Sequence, residues 1–101
     1  MQETVVRIGT DSIVVASASQ TSCELHGETV ILEFDKGAYF GLDDIGTVIW
    51  QLLQSPRPVR ALCQTIVEQY EVDPVVCEHD IVRLLEQLHA ERLVEVRNPT
   101  T

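Results

Sequence analysis

Between residues 28 and 42, apolar side chains recur at every second position on either side of a polar turn, which is the period of a β-strand. A turn is expected at Asp35-Lys36-Gly37, where the glycine can adopt the left-handed conformation. The apolar residues predicted on one face of this hairpin are Val30, Leu32 and Phe34, followed after the turn by Phe40 and Leu42. The pattern predicts two antiparallel strands that share one apolar sheet surface.

The period changes to 3.6 residues after Asp43, which indicates an amphipathic helix. Asp43 is the predicted N-cap, and Ser55-Pro56 is expected to end the helix. The apolar positions at helical spacing are Ile45, Val48, Ile49, Leu52 and Leu53. The strand before this helix, Ala38 to Asp43, contains no lysine or proline of the kind that blunts a sheet edge. We therefore expect a free strand edge beside a capped helix.

Two more helices follow in the sequence. The second is expected to begin at Pro58, and the third to run from Asp73-Pro74 to about Glu91. Residues Leu93 to Val96 then form a short extended tail. The inward-facing positions predicted on these two helices are Val59, Leu62, Ile66, Tyr70, Ile81, Leu84, Leu85 and Leu88.

The segment ahead of the hairpin contains further candidate strand residues. Ser12 to Ala16 can form a strand, and Cys23 to His26 can pair with the strand that follows Gly27-Glu28. The sequence leaves open whether this is one bent strand or two. The predicted architecture is α+β and winged-helix-like, with a three-stranded antiparallel sheet followed by three helices that pack on one sheet face.

Length and charge limit the classes of function. A chain of 101 residues with 45% hydrophobic content is one domain, expected at residues 12–96 with flexible segments at 1–11 and 97–101. The formal net charge of −9 disfavours binding to nucleic acids and anionic membranes. No apolar run approaches the roughly 20 residues of a membrane span, and the N-terminus lacks the features of a secretion signal. We therefore expect a cytoplasmic protein with its cysteines kept as thiols.

Groupings that support catalysis or metal binding are sparse. Cys23, His26, Cys77 and His79 supply four potential zinc ligands, but the second pair is unusually close and the pairs are far apart in sequence. Asp43-Asp44 lies at a predicted helix start, where capping accounts for the carboxylates. The glycines match neither the dinucleotide nor the P-loop pattern. The sequence predicts no enzymatic activity, no cofactor and no metal.

An aromatic strand ending in Leu42-Asp43, with Gly46 and Trp50 in the next helix, resembles the PqqD-like proteins, which are recognition elements for ribosomally made peptides (RiPP recognition elements). The resemblance runs from about Val14 to Val96. Later segments that carry it are Pro58-Val59, Tyr70, Asp80-Ile81 and Leu93-Val94. Within the family, a free-standing chain with the strand Tyr39 to Asp43 most resembles the stand-alone leader-binding protein of lasso-peptide biosynthesis.

The resemblance implies a binding module. Such a module takes the leader segment of a ribosomally synthesised precursor peptide as an added strand, against its third strand and third helix. It delivers the precursor to maturation enzymes, which in lasso-peptide biosynthesis are a leader-cleaving cysteine protease and an ATP-dependent macrolactam-forming cyclase. The alternative within the family is a PqqD-type chaperone for a radical iron-sulfur enzyme.

The implied site lies between the third strand and the third helix. Four residues are candidates for an apolar pocket, Leu32, Phe40, Leu42 and Leu84, although ordinary core packing is the competing interpretation. Arg83 is a candidate for binding a peptide carboxylate or carbonyl and Asp80 for a peptide amide, although both can be surface charges. The predicted peptide-binding residues are Leu32, Ala38, Tyr39, Phe40, Gly41, Leu42, Asp43, Asp80, Arg83, Leu84 and Gln87.

Two other classes of function compete with this interpretation. A winged-helix DNA-binding regulator has the same element order, but its third helix here carries Glu78, Asp80, Glu86 and Glu91. A small zinc or thiol enzyme is the other class. An uncapped strand edge also allows two states of the free protein, a monomer or an edge-paired dimer.

Overall fold

Three helices and two antiparallel sheets make up the part of the chain that the computed structural model describes, residues 7–18, 20–25, 28–33 and 39–98. The strands are β1 (Ile13–Ala16), β2 (Gln20–Leu25), β3 (Glu28–Glu33), β4 (Tyr39–Leu42), β5 (Arg57–Pro58) and β6 (Val94–Arg97). The helices are α1 (Asp44–Leu52), α2 (Val59–Gln69) and α3 (Pro74–Ala90). The α+β fold with a three-stranded antiparallel sheet and three helices is confirmed. The predicted turn at Asp35-Lys36-Gly37 lies outside the described residues.

The hairpin sheet has the strand order β2-β3-β4. The segment before the hairpin is two strands, because β1 belongs to a second sheet with the order β5-β1-β6. Val14 pairs with Arg57 on one side and with Val96 on the other. The expected C-terminal tail is therefore the strand β6, and it closes a small sheet with residues from the start and middle of the chain.

The buried face of the hairpin differs from the prediction. Phe40 pairs with Ile31 and Leu42 pairs with Thr29, and residues that face each other across two strands point to the same side. Ile31 is fully buried, whereas Leu32 is 41% exposed. The prediction that Val30 and Leu32 share a face with Phe40 and Leu42 is wrong, because Val30 pairs with Gly41 and Leu32 with Tyr39. The run Val30 to Leu32 is apolar at every position, so alternation alone does not fix which face is inward.

Two of the helices begin at the predicted side-chain caps. The Oδ1 atom of Asp43 accepts a hydrogen bond from the Gly46 amide at 2.8 Å. The Oδ1 atom of Asp73 accepts from the amides of Val75 at 2.8 Å and Val76 at 3.2 Å. Pro58 is the N-cap of α2 rather than a residue of its first turn. Both aspartate caps satisfy amides that a helix start otherwise leaves without partners.

The hydrophobic core joins the helices to both sheets. Trp50 is 3% exposed, so its predicted role in packing is confirmed. Other buried members of this core are Val14, Ile31, Leu42, Ile49, Leu53, Val59, Leu62, Ile66, Cys77, Ile81, Leu85, Leu88, Leu93 and Val94. The limits of the predicted domain, residues 12–96, stay a prediction. Two residues before this range contact the folded part, because Ile8 joins the core and the Thr10 carbonyl accepts a hydrogen bond from the Arg60 amide at 3.0 Å. No helix in the described ranges is long and apolar enough to cross a membrane.

Candidate functional site

A groove of about 400 Å³ lies between β4, the start of α1 and α3. Its wall on the sheet side is the strand β4 and its wall on the opposite side is α3. The residues that line it are Phe40, Gly41, Leu42, Asp43, Ile45, Gly46, Ile49, Ile66, Val72, Val76, Cys77, Asp80, Ile81, Leu84 and Gln87. We call this cavity the β4–α3 groove.

The floor of the β4–α3 groove is part of the hydrophobic core. Ile49, Ile66 and Ile81 are almost fully buried, and Leu42 is 3% exposed. Leu84 is half-buried and packs against the same core. Because these side chains are held by packing from several elements, the floor is a preformed apolar surface.

The rim on the α3 side combines exposed apolar and polar residues. Val76, Asp80, Leu84 and Gln87 follow one another at intervals of three or four residues, so they form a stripe along one side of the helix. Val76 is 57% exposed, so it adds water-exposed apolar surface to the rim of the groove. Its neighbour Val75 is 66% exposed but does not line the groove. A ligand in the groove would remove Val76 from water.

The strand β4 is an edge of the hairpin sheet, because within the described strands it pairs only with β3. An edge strand presents a row of backbone amides and carbonyls without sheet partners. Phe40 and Leu42 point from this edge toward the groove, since both line it. The groove thus offers backbone hydrogen-bonding groups on one wall and apolar contacts on its floor.

A close approach of the backbone shapes the end of the groove where β4 meets α1. A Cβ atom at Gly46 would lie 3.2 Å from Asp43 Oδ1 and from two side-chain atoms of Leu42. Such contacts are tighter than ordinary van der Waals packing, so a side chain here would press on both the α1 cap and the groove wall. Gly46 therefore allows the capped helix to start directly beneath the edge strand.

Two thiols lie under or near the groove. Burial raises the pKa of Cys77, with a further contribution from the negative charge of Asp80. Burial, together with Cys77 and Glu78, raises the pKa of Cys63 to about 11. A catalytic cysteine is activated by a lowered pKa, whereas both of these thiols are shifted toward the neutral, unreactive form.

The comparisons with known proteins identify the family. The family model described as coenzyme PQQ synthesis protein D (PqqD) matches residues 28–94, about two-thirds of the chain. The chain belongs to the PqqD family. The resemblance found in the sequence is confirmed, since the matched residues include all of the hairpin strands β3 and β4 and the three helices. No curated protein matches the chain.

Solved structures of this family share the fold. TbiB1, in complex with the TbiA(beta) leader peptide, is 32% identical, with a TM-score of 0.74 over 80% of this chain and 94% of that chain. A lasso peptide synthetase B1 complexed with its leader peptide is 22% identical, with a TM-score of 0.73 over 81% of this chain and 96% of that one. The PqqD part of Methylobacterium extorquens PqqCD, a stand-alone RiPP recognition element, is 21% identical, with a TM-score of 0.74 over 87% and 94%.

Most of the predicted site residues of this PqqD-family chain come together in the β4–α3 groove. Leu32 and Tyr39 do not, because they pair with each other on the outer face of the hairpin sheet, where Tyr39 is 77% exposed. Arg83 lies in a second cleft with His79 and Glu86, outside the groove. Ala38 lies outside the described residues. The predicted residues that line the groove are Phe40, Gly41, Leu42, Asp43, Asp80, Leu84 and Gln87.

Sequence reasoning missed the groove residues from α1 and from the start of α3. Val76 had a signal, because it lies one helical turn before Asp80 on the same stripe. Val72 precedes α3, and its place in the groove depends on the packing of α2 against α3. The other missed residues are Ile45, Gly46, Ile49, Ile66, Cys77 and Ile81, which the sequence marks only as core or helix positions.

The candidate zinc ligands are not brought together among the residues that the structure describes. Cys77 lies in the groove, whereas His79 is exposed in the second cleft. His26 and the side chain of Cys23 lie outside the described part. Within that part, no three His, Cys, Asp or Glu side chains are placed to hold a metal ion.

Proposed function

We propose that this PqqD-family domain binds the leader segment of a ribosomally synthesised precursor peptide in the β4–α3 groove. The observation that carries the proposal is the juxtaposition of an unpaired strand edge with a preformed apolar groove. An extended peptide can pair its backbone with such an edge while alternate side chains enter the pockets below. Backbone pairing supplies attachment and the groove supplies selectivity.

The structural neighbour TbiB1 supports the same assignment. It is 32% identical to this chain, aligns over 94% of its own length, and its structure is a complex with a leader peptide. The neighbour from PqqD itself is 21% identical. We favour a leader peptide of the lasso class over the substrate of a radical iron-sulfur partner, because the strand Tyr39 to Asp43 most resembles that of the lasso leader-binding proteins.

The residues proposed to contact the leader are those predicted residues that line the groove. Phe40 and Leu42 belong to the sheet wall, and Leu84 belongs to the helix wall. These three side chains serve two purposes, since they also pack against the core. Arg83 is not among these residues, since it lies in the second cleft. A contact between Arg83 and the leader stays a prediction.

The proposed role ends with presentation of the precursor to other enzymes. In lasso-peptide maturation the partners are a leader-cleaving cysteine protease and a macrolactam-forming cyclase. A domain that holds the leader raises the effective concentration of the core peptide near these enzymes without performing chemistry itself. The raised pKa values of Cys63 and Cys77 are in keeping with a binding role for the groove.

Fluorescence anisotropy tests the proposal. A labelled leader peptide, taken from the precursor encoded beside this protein, is titrated with the purified domain. We expect saturable binding that unlabelled leader displaces and duplex DNA does not. Val76→Asp should weaken this binding about tenfold or more, because it places a carboxylate where an apolar side chain of the leader would pack.

Val75→Asp is the matched control for this substitution. Val75 and Val76 are adjacent, both exposed, and both lie in the first turn of α3, but only Val76 lines the groove. An introduced aspartate is compatible with a helix N-terminus at either position, so both variants should fold. Equal affinity of the two variants, or no saturable binding by the folded wild-type domain, would contradict the proposed site.

A further inference from the structure

The charged side chains that line the β4–α3 groove are all acidic. They are Asp43, at the end of β4, and Asp80, on the α3 stripe, and no basic residue joins them among the described residues. The whole chain has a formal net charge of −9. An acidic groove on an acidic protein favours a basic ligand by both local and long-range electrostatics.

Asp80 is free to pair with such a ligand. It is exposed, and within the described part of the chain it forms no ion pair. Arg83 lies one turn away on the same helix but faces the second cleft. The carboxylate of Asp80 also acts on the groove floor, since its charge helps to raise the pKa of Cys77.

Asp80 lies midway between two apolar residues of the α3 stripe. Val76 is four residues before it and Leu84 four residues after it, so the stripe from Val76 to Leu84 spans about 12 Å at the helical rise of about 1.5 Å per residue. Three inward-facing side chains of an added strand, at positions i, i+2 and i+4, span about 13 Å at about 3.3 Å per residue. A strand that runs along α3 therefore places its alternate side chains at the spacing of the stripe.

We propose that the leader segment in the groove carries a central lysine or arginine that faces Asp80, with apolar residues two positions before and two positions after it. The flanking residues then contact Val76 and Leu84, because they share one face of the added strand. This inference rests on the proposed function and names the class of leader that the groove selects. A leader with an acidic residue at the central position is rejected by the like charge.

A charge-exchange experiment tests this pairing. The labelled leader is titrated by anisotropy with wild-type domain, Asp80→Asn and Asp80→Lys. We expect Asp80→Asn to weaken binding about three- to fivefold, as for an exposed ion pair, and Asp80→Lys to weaken it about tenfold or more. A leader in which the central basic residue is replaced by glutamate should bind wild type weakly and should regain affinity with Asp80→Lys.

Glu86→Lys is the matched control for Asp80→Lys. Glu86 is exposed on α3 and its substitution changes the net charge by the same amount, but it lines the second cleft and not the groove. We expect this variant to change leader affinity less than about twofold at 0.15 M salt, where exposed distant charges are largely screened. A loss shared by both lysine variants would show a net-charge effect and would overturn the specific pairing.

The two proposals fail differently. If the leader binds and Val76→Asp weakens it, but neither Asp80 variant changes its affinity, the groove is the binding site and the pairing is overturned. The pairing is also overturned if no basic-to-glutamate change in the leader regains affinity with Asp80→Lys. If the folded wild-type domain does not bind the leader, the proposed function fails together with the inference.

Discussion

Asp43 is the residue at which the edge strand becomes a helix. Its Oδ1 atom accepts the hydrogen bond from the Gly46 amide, and its side chain also borders the groove. The same carboxylate therefore contributes to stability, as the α1 cap, and to the electrostatics of the site. For any substitution of Asp43, both the change in stability and the change in leader binding therefore have to be measured.

We expect Asp43→Ala to lower the free energy of unfolding by about 1 kcal/mol, because the first turn of α1 loses its side-chain cap. Asp44→Ala is the control. Asp44 is also an exposed acid in the first turn, but it is not the N-cap and acts through the helix dipole, so its loss should cost only about 0.3 kcal/mol. Urea denaturation followed by the fluorescence of Trp50, the single tryptophan, measures both variants.

A cost for Asp44→Ala as large as that for Asp43→Ala would mean that negative charge near α1, and not the hydrogen bond to Gly46, provides the stabilisation. Adding salt separates these two causes further, since it screens the charge effect and leaves the hydrogen bond. Both caps, Asp43 and Asp73, were predictable from the sequence because each bond reaches an amide only two or three residues away.

At the scale of elements, the hairpin shows what alternation can and cannot predict. The sequence predicts two strands and a free edge, and β4 is that edge. It does not predict which face of β3 is buried, because residues Val30 to Leu32 are all apolar. The register across the turn decides the face, and it places Ile31 beside Phe40.

A pair of alanine substitutions checks this assignment of faces. Ile31→Ala should lower the free energy of unfolding by about 2–5 kcal/mol, because Ile31 is fully buried and its loss leaves a cavity. Leu32→Ala should cost about 1 kcal/mol or less, since that side chain is 41% exposed and lies on the outer face. Urea denaturation of the two variants would contradict the assignment if Leu32→Ala were the more costly.

The second sheet could not be predicted from the spacing of apolar residues. Strand β5 has two residues, and β1 and β6 have four each, so none is long enough to show a clear pattern. Their pairing joins Ile13 to Arg97 across almost the whole chain. The groove was predictable only in part. The α3 stripe follows from helical spacing within one segment of the sequence, whereas Ile66 and Val72 enter the site only through the packing of helices.

At the scale of the whole molecule, two partners can compete for the free edge of β4. A leader peptide can occupy it, and so can the β4 edge of a second copy of the chain. The two partners differ in charge, because a second copy carries the same formal net charge of −9, whereas the proposed leader segment is basic. Ionic strength should therefore act on the two associations in opposite directions.

We expect the free domain to be monomeric at low salt and to form a dimer more readily as salt rises from about 0.05 to 0.5 M, because screening reduces the repulsion between copies. Leader binding should weaken over the same range. Light scattering after size-exclusion chromatography, against the 11.3 kDa mass of one chain, measures the first effect, and anisotropy measures the second.

Saturating leader should return the dimer to a one-to-one complex, because the leader and the second copy both use the β4 edge. A dimer that persists with leader bound would place its interface elsewhere, and the outer face with Leu32 and Tyr39 is then the surface to substitute.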